Sequence, residues 1–192
     1  DWRDYDKIGT ATVTVSGLNN FDNESSKTYE IANDIADYVE VAEIDPSELP
    51  LVYNGKVQHP KLRLKFKLNS IQESTTYTIE WEGECTDAGE YKAVIRAVAG
   101  SGYTGQIEIP FEIEKRPVSE VAFSIEPQAY IGSAIKPLIS DITAVDEAIG
   151  SEPLADSMFE ITGYGDNLEI GTEAFVTVQA PEESNYEGTA KV

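Results

Sequence analysis

Short segments of alternating apolar and polar residues recur along the chain. Between Leu62 and Leu68 four apolar side chains alternate with three cations, and residues 76–82 alternate in the same way. A period of two places the apolar side chains on one face of a strand. Together with β-branched and aromatic composition, the pattern predicts further strands at residues 10–16, 35–44, 91–97, 107–113, 118–125 and 174–179. Helix signals are confined to two short Pro-containing turns, residues 45–49 and 152–157, so we expect an all-β chain.

The chain also repeats itself. Three kinds of landmark recur: an aromatic residue in a Gly- or Asn-rich turn (Phe21, Tyr103, Tyr186), a Gly that opens a strand (Gly9, Gly89, Gly171), and a Tyr-x-Gly turn seven residues before a Pro (Tyr53, Tyr130). Successive members of the first two kinds are 80 to 83 residues apart. A fixed period of this length is the signature of a repeat architecture.

The phase of the period predicts three segments. Residues 1–31 hold the closing strands of a preceding repeat, residues 32–115 form one complete repeat, and residues 116–192 form another whose last strand is missing. Residues 1–31 belong either to a missing unit or, alternatively, pack with the next one. With about seven short strands in about 80 residues, each unit is expected to be an immunoglobulin-like β-sandwich. The linker at Pro117 is short, and its fixed backbone predicts a semi-rigid rod.

The order of these landmarks resembles that of tandem bacterial immunoglobulin-like surface repeats of the YDG or MBG type. The similarity covers nearly the whole chain, from Gly-Thr-Ala-Thr-Val-Thr-Val at Gly9 to Asn-Tyr-x-Gly at Tyr186. In that family the units are strung together in large secreted or wall-attached bacterial proteins. The resemblance therefore implies an extracellular or cell-surface location and a non-enzymatic role, as a stalk or spacer that carries the flanking domains of an adhesin-like parent protein.

The charge of the chain narrows the choice of partners. Its 35 acidic and 14 basic residues give a net charge of −21, which argues against nucleic acid and anionic membrane surfaces as partners. No segment reaches the roughly 20 apolar residues that membrane insertion needs. Residues 117–192 carry 14 acidic but only 2 basic residues. We interpret this acidity as solvation of a secreted stalk, with calcium as the alternative cofactor, although no Asp-x-Asp-x-Asp-Gly loop is present.

The three cations of the 62–68 strand are expected on an outer sheet face. There Arg63, Lys65 and Lys67 would pair with Glu80 and Glu82 on a neighbouring strand. We interpret these pairs as a device that fixes the register of the strands.

The residues that carry most enzyme chemistry are scarce. His59 and Cys85 are the single histidine and the single cysteine, so an internal disulfide and a cysteine-rich zinc site are excluded. Neither lies in the sequence context of a catalytic nucleophile or base, and we expect both to be structural. A carboxylate pair is the one enzymatic alternative, but with 35 acidic residues such pairs arise by chance. We therefore predict no catalytic residues and no metal ligands.

Aromatic side chains are the candidates for ligand binding. We interpret the repeated Tyr-x-Gly tyrosines as turn anchors and Trp81 as a core residue. Trp2, in a polar segment, and Tyr164, in a Thr-Gly-Tyr-Gly-Asp segment that the other repeat lacks, are the candidate ligand-binding residues. They support an alternative function, an adhesion module that recognises an extracellular glycan, a mucin or another protein.

Overall fold

The computed structural model describes residues 2–3, 7–165 and 174–192, with side chains from residue 7 onward. Strands account for 47% of the structure, and the described residues contain no α-helix, which confirms the predicted all-β class. The strands are β1 (Trp2–Arg3), β2 (Gly9–Ser16), β3 (Glu24–Ile31), β4 (Asn33–Asp34), β5 (Val39–Ile44), β6 (Leu51–Val52), β7 (Leu62–Phe66), β8 (Tyr77–Glu82), β9 (Gly89–Ala97), β10 (Tyr103–Thr104), β11 (Gln106–Glu114), β12 (Arg116–Pro117), β13 (Ala122–Ile125), β14 (Ile142–Val145), β15 (Glu160–Gly165), β16 (Phe175–Gln179), β17 (Tyr186–Glu187) and β18 (Thr189–Lys191). Short 3₁₀ helices lie at Ile35–Tyr38, Pro46–Glu48, Val118–Glu120, Ile139–Asp141 and Asp156–Met158.

The chain divides into two compact units. Unit 1 comprises Asp1–Leu49, His59–Gly83 and Tyr91–Phe111, and unit 2 comprises Pro50–Gln58, Glu84–Glu90 and Glu112–Val192. Two segments that precede the predicted repeat boundary at residue 115 therefore belong to unit 2. The predicted linker around Pro117 lies inside that unit.

Unit 1 is built mainly from antiparallel strand pairs. β2 pairs with β1 and β3, β5 pairs with β7, and β8 pairs with β9, all antiparallel. β11 lies on the other side of β9, while β4 and β10 form a short parallel pair. In β7 and β8 every apolar residue is buried or half-buried and every polar residue between them is exposed, as the period of two predicts. Ala93, Val94 and Ile95 of β9 are all fully buried, which makes this strand the centre of the core.

Unit 2 has a similar set of short pairs. β13 and β14 are antiparallel, and β16 lies between β15 and β18, antiparallel to both. β12 lies parallel to β17, and β6 lies parallel to the last two residues of β11. Its core includes Ile113, Val118, Val178 and Tyr186, each with at most 1% of its surface exposed, and one acidic residue, Asp146, which is equally buried.

Two of the parallel pairs, β4–β10 and β12–β17, occupy equivalent positions in the sequence. Asn33 of β4 and Arg116 of β12 are 83 residues apart, as are their partners Tyr103 and Tyr186. The first strand of each pair, β4 or β12, is followed along the chain by a 3₁₀ helix. The next strand, β5 or β13, then forms an antiparallel pair with β7 or β14.

Two strands begin later than the sequence pattern predicts. Residues 35–38 and 118–120 form 3₁₀ helices, and the strands start only at Val39 and Ala122. In the first case the Asp34 carboxylate accepts a hydrogen bond of 3.0 Å from the backbone N–H of Ala36, which caps the turn. The prediction failed because the single buried residue of such a turn, here Ile35, resembles the first inward residue of a strand.

The cations of β7 pair with a different strand from the one predicted. Arg63 Nη1 lies 3.2 Å from a carboxylate oxygen of Glu43, and Lys65 Nζ lies 2.6 Å from one of Glu40, both on β5. Glu80 of β8 pairs instead with Arg96 of β9, at 3.3 Å. The prediction was wrong because the hydrogen-bonded neighbour of β7 is β5 rather than β8.

Candidate functional site

Unit 2 contains a buried polar cluster, which we term the junction cluster and define by Tyr53, Arg116, Asp146 and Tyr186. Asp146 follows β14 and continues its inward-facing series after Ile142 and Ala144, which are also buried. Strands β12 and β17, which lie side by side, supply Arg116 and Tyr186. The alternation of β14 thus carries a carboxylate into the core, where it needs a cationic partner.

The Asp146 carboxylate receives that partner and two further donors. Arg116 Nε lies 2.6 Å from Oδ2, and the Tyr186 hydroxyl donates to the same oxygen at 3.2 Å. The backbone N–H of Ala148 donates to Oδ1 at 3.0 Å. Arg116 also reaches the carboxylate of Glu120, at 3.0 Å from Nη2. Burial raises the pKa of the Tyr186 hydroxyl above its ordinary value of 10.0, and the Asp146 charge raises it further.

Aromatic rings pack against the ring of Tyr186. The Tyr53 ring meets the Tyr186 ring edge to face at a centroid distance of 5.7 Å, and Phe159 packs on Tyr186 at 5.4 Å. Phe123 continues the stack beyond Phe159 at 5.1 Å. Edge-to-face aromatic pairs of this kind add to the free energy gained by burial alone.

The predicted linker is bonded into this cluster by its backbone. The N–H of Tyr53 donates to the carbonyl of Glu114 at 2.9 Å, and the N–H of Arg116 donates to the carbonyl of Asn185 at 2.9 Å. The ammonium of Lys115 donates to the carbonyl of Glu182. Three successive linker residues are therefore each fixed by a hydrogen bond to a distant part of the chain.

Two further contacts hold the segments that precede the linker in sequence. The Asn185 side chain donates to the Asp87 carboxylate and accepts from the backbone N–H of Ala88, each at 2.8 Å. Gly55 lies against Ile149, so that an added Cβ would lie 2.9 Å from Ile149 Cγ2. Gly55 also has a φ of +69°, a conformation that favours glycine.

A groove of about 270 Å³ opens beside the cluster, lined by Tyr53, Ser157, Met158, Pro181, Glu183, Ser184, Asn185 and Tyr186. Within the described residues every buried side-chain nitrogen or oxygen atom has a hydrogen-bond partner. The oxygens of Asp146 are already occupied by Arg116, Tyr186 and Ala148. The arrangement is therefore suited to holding chain segments together rather than to proton transfer.

The two candidate ligand-binding residues, Trp2 and Tyr164, are not members of the junction cluster. Tyr164 lies on β15 with 36% of its surface exposed, its hydroxyl donates to the Pro137 carbonyl at 2.9 Å, and the Lys136 ammonium lies 5.8 Å from its ring centroid. Trp2 lies on β1, but its side chain is outside the described residues. Trp2 belongs to unit 1 and Tyr164 to unit 2.

The landmark aromatic residues differ in exposure. Tyr53 and Tyr186 are buried at 8% and 1% exposure and Tyr103 is half-buried, as turn anchors would be. Tyr130 and Phe21 are 55% and 79% exposed. The landmark Gly171 lies outside the described residues.

The remaining residues singled out by sequence have packing contacts. In unit 1 the exposed His59 ring stacks on Trp81 at 4.6 Å, and Trp81, which is half-buried, meets the buried Phe111 at 5.6 Å. In unit 2 Cys85 is fully buried, and this burial raises the pKa of its thiol above its ordinary value of 9.0.

Sequence reasoning named two members of the junction cluster as turn landmarks, Tyr53 and Tyr186, and missed Arg116 and Asp146 as a pair. A signal was present, because Ile142, Ala144 and Asp146 alternate as one inward face. A buried acid is almost always paired, and because residues 117–192 contain few cations, the nearby Arg116 is the expected partner of Asp146.

Neither a metal site nor a membrane-spanning helix is found in the part of the chain that the structure describes. No three His, Cys, Asp or Glu side chains there are grouped so that they could hold a metal ion. No helix there has the length and apolar composition needed to cross a bilayer. Comparison of the chain with protein-family models, with curated proteins and with solved structures gave no match.

Proposed function

We propose that the chain is a segment of a bacterial cell-surface or secreted protein in which tandem immunoglobulin-like β-sandwich repeats act as a stiff, non-enzymatic spacer. The flanking domains of the parent protein are its partners in this role. The sequence period, the resemblance to YDG/MBG-type repeats, and the recurrence of the parallel pair β4–β10 as β12–β17 after 83 residues support it.

The observation that carries the proposal is the fixed linker. A flexible connection between repeats would leave residues 114–117 in solvent, without long-range hydrogen bonds. Here the backbones of Glu114 and Arg116 bond to Tyr53 and Asn185, and the Arg116 side chain is bound to a fully buried carboxylate. Held in this way, the linker is a fixed part of unit 2 rather than a flexible tether, as a stiff spacer requires.

Hydrogen exchange measured by NMR on the intact chain tests this stiffness. We expect the amides of Tyr53 and Arg116 to exchange as slowly as that of Val178 in β16, because they open only when unit 2 unfolds. The amide of Lys56, bonded to the Asn54 side chain within its own turn, serves as the fast-exchanging reference. Exchange of Tyr53 and Arg116 at the rate of Lys56 would mean that the linker is a hinge, and the spacer proposal would fail.

A second candidate function is the glycan- or mucin-binding adhesion module, which the position of Tyr164 favours. Its hydroxyl is fixed by Pro137 while a third of its surface stays exposed, so the ring is held ready to stack on a sugar. Binding of the intact chain to an immobilised glycan and mucin panel, with and without calcium, tests this function. Saturable binding that is lost in Tyr164→Ala but kept in Tyr29→Ala, on β3, would establish the adhesion function. Absence of binding would reject the adhesion function and leave the spacer as the remaining proposal.

A further inference from the structure

The Tyr130 loop, residues 130–132 of unit 2, has the same pattern as the buried turn at Tyr53. Each has a Tyr-x-Gly sequence seven residues before a buried Pro. The glycine of each turn has a similar positive φ, +69° at Gly55 and +76° at Gly132. The exposure differs, with Tyr53 at 8% and Tyr130 at 55%.

Among the described residues, the contacts that cover the Tyr53 turn have no counterpart at the Tyr130 loop. Tyr53 packs edge to face on Tyr186, and Gly55 lies against Ile149. By contrast, a Cβ placed on Gly132 would have no atom within 4 Å, and Ile131 is 70% exposed. Tyr130 and Ile131 thus form an exposed apolar surface in an acidic segment, and no described residue covers it.

We propose that the Tyr130 loop is a docking surface for a further chain segment equivalent to residues 112–192, the largest segment of unit 2. Tyr130 packs there against the residue equivalent to Tyr186, as Tyr53 does in this chain. The equivalence of the two turns in sequence and backbone identifies the occupant. The proposal rests on the tandem-spacer function. Residues 166–173, which correspond to residues 83–90 at the 83-residue spacing, are outside the described residues, and the proposal does not use them.

The proposal is tested with an extended chain in which a further copy of the repeat is added at the spacing of the existing ones. Residues 110–192 are appended directly after Val192, because Ile109 and Val192 are equivalent at the 83-residue spacing. The appended copy carries Tyr130→Ala, so that the original Tyr130 gives a distinct peptide. Hydroxyl-radical footprinting with mass spectrometry then reports the exposure of Tyr130 in the original and the extended chains.

We expect the labelling rate of Tyr130 to fall about sevenfold in the extended chain, in proportion to a change in exposed fraction from 55% to the 8% of Tyr53. Tyr29, which is 40% exposed and occurs once in both chains, is the matched control and should keep its rate. As a second measurement, Tyr130→Ala at the original position should lower the urea midpoint of the extended chain and leave that of the original chain unchanged.

Three outcomes would overturn the proposal. The first is an unchanged Tyr130 rate, or an appended copy that does not fold onto the chain. The second is a Tyr130 rate that falls with protein concentration in the original chain, which would assign the loop to contacts between copies. The third is protection of Tyr130 by a member of the glycan panel. Because Tyr53 reports on the native linker in the same experiment, failure at Tyr130 with Tyr53 still protected rejects this docking surface without rejecting the spacer.

Discussion

At the scale of single residues, the stability of unit 2 depends on Asp146. Its neutral isostere, Asp146→Asn, leaves the Arg116 guanidinium, whose side chain is only 16% exposed, without its closest charge partner. We expect a loss of about 3 kcal/mol in the free energy of unfolding, because a half-removed buried ion pair leaves a charge uncompensated. The urea midpoint measures this loss. Glu120→Gln removes the exposed partner of the same arginine and should cost no more than about 0.5 kcal/mol. Equal losses of stability in the two variants would show that the buried Asp146 is no more important to unit 2 than the exposed Glu120.

The hydroxyl of Tyr186 links the cluster to pH. Its pKa is raised in the folded state, so above the unfolded value of 10.0 the unfolded chain loses this proton while the folded chain keeps it. Stability is therefore expected to be unaffected by this group below pH 10 and to fall as the pH rises above it. Tyr186→Phe should cost about 1 kcal/mol at pH 7 and make the decline above pH 10 shallower. Urea unfolding at pH 7 to 11 checks both the loss at pH 7 and the shallower decline, with Tyr130→Phe as control. If Tyr186→Phe left the decline of stability above pH 10 unchanged, the decline would not come from the Tyr186 hydroxyl.

At the scale of elements, the strands follow from local pattern and their partners do not. The alternation in β7 and β8 predicts both strands and their buried faces, because period and burial are properties of one segment. Pairing depends on contacts between segments far apart in sequence. The sequence pattern therefore predicts that the β7 cations pair with the acids of β8, whereas they pair with Glu40 and Glu43 of β5. The junction cluster was missed as a site for the same reason, since Arg116 and Asp146 meet only after folding.

The two equivalent turns allow a matched test of one packing contact. Gly55→Ala and Gly132→Ala both place a side chain at positive φ, which costs about 1 to 2 kcal/mol. Only at Gly55 does the new Cβ meet a neighbour, Ile149, at 2.9 Å. We therefore expect Gly55→Ala to be more destabilising in urea by about 1 to 3 kcal/mol, the usual range for overpacking. Equal midpoints for the two variants would show that Ile149 yields without cost.

At the scale of the whole molecule, charge opposes folding. In unit 1 many cations are already paired, as in Arg63–Glu43, Lys65–Glu40 and Lys92–Glu108. Residues 117–192 hold only two cations against 14 acids, so most of their carboxylates have no positive side chain of their own to pair with. A net charge of −21 then destabilises the compact state through repulsion that salt screens.

Stability should accordingly rise with ionic strength. Raising NaCl from about 0.01 M to about 0.15 M shortens the screening length from about 30 Å to about 8 Å, so repulsion between distant carboxylates weakens while the buried Arg116–Asp146 pair is little affected. We expect the melting temperature to increase, by about 2 to 4 °C for each kcal/mol gained in the free energy of unfolding.

The variant Glu126→Lys, at an exposed position, tests the same repulsion. It changes the net charge from −21 to −19 and should stabilise the chain at low salt but much less at high salt. A melting temperature that falls with salt would mean that surface ion pairs outweigh the net repulsion. Glu126→Lys would then lose its advantage at low salt as well.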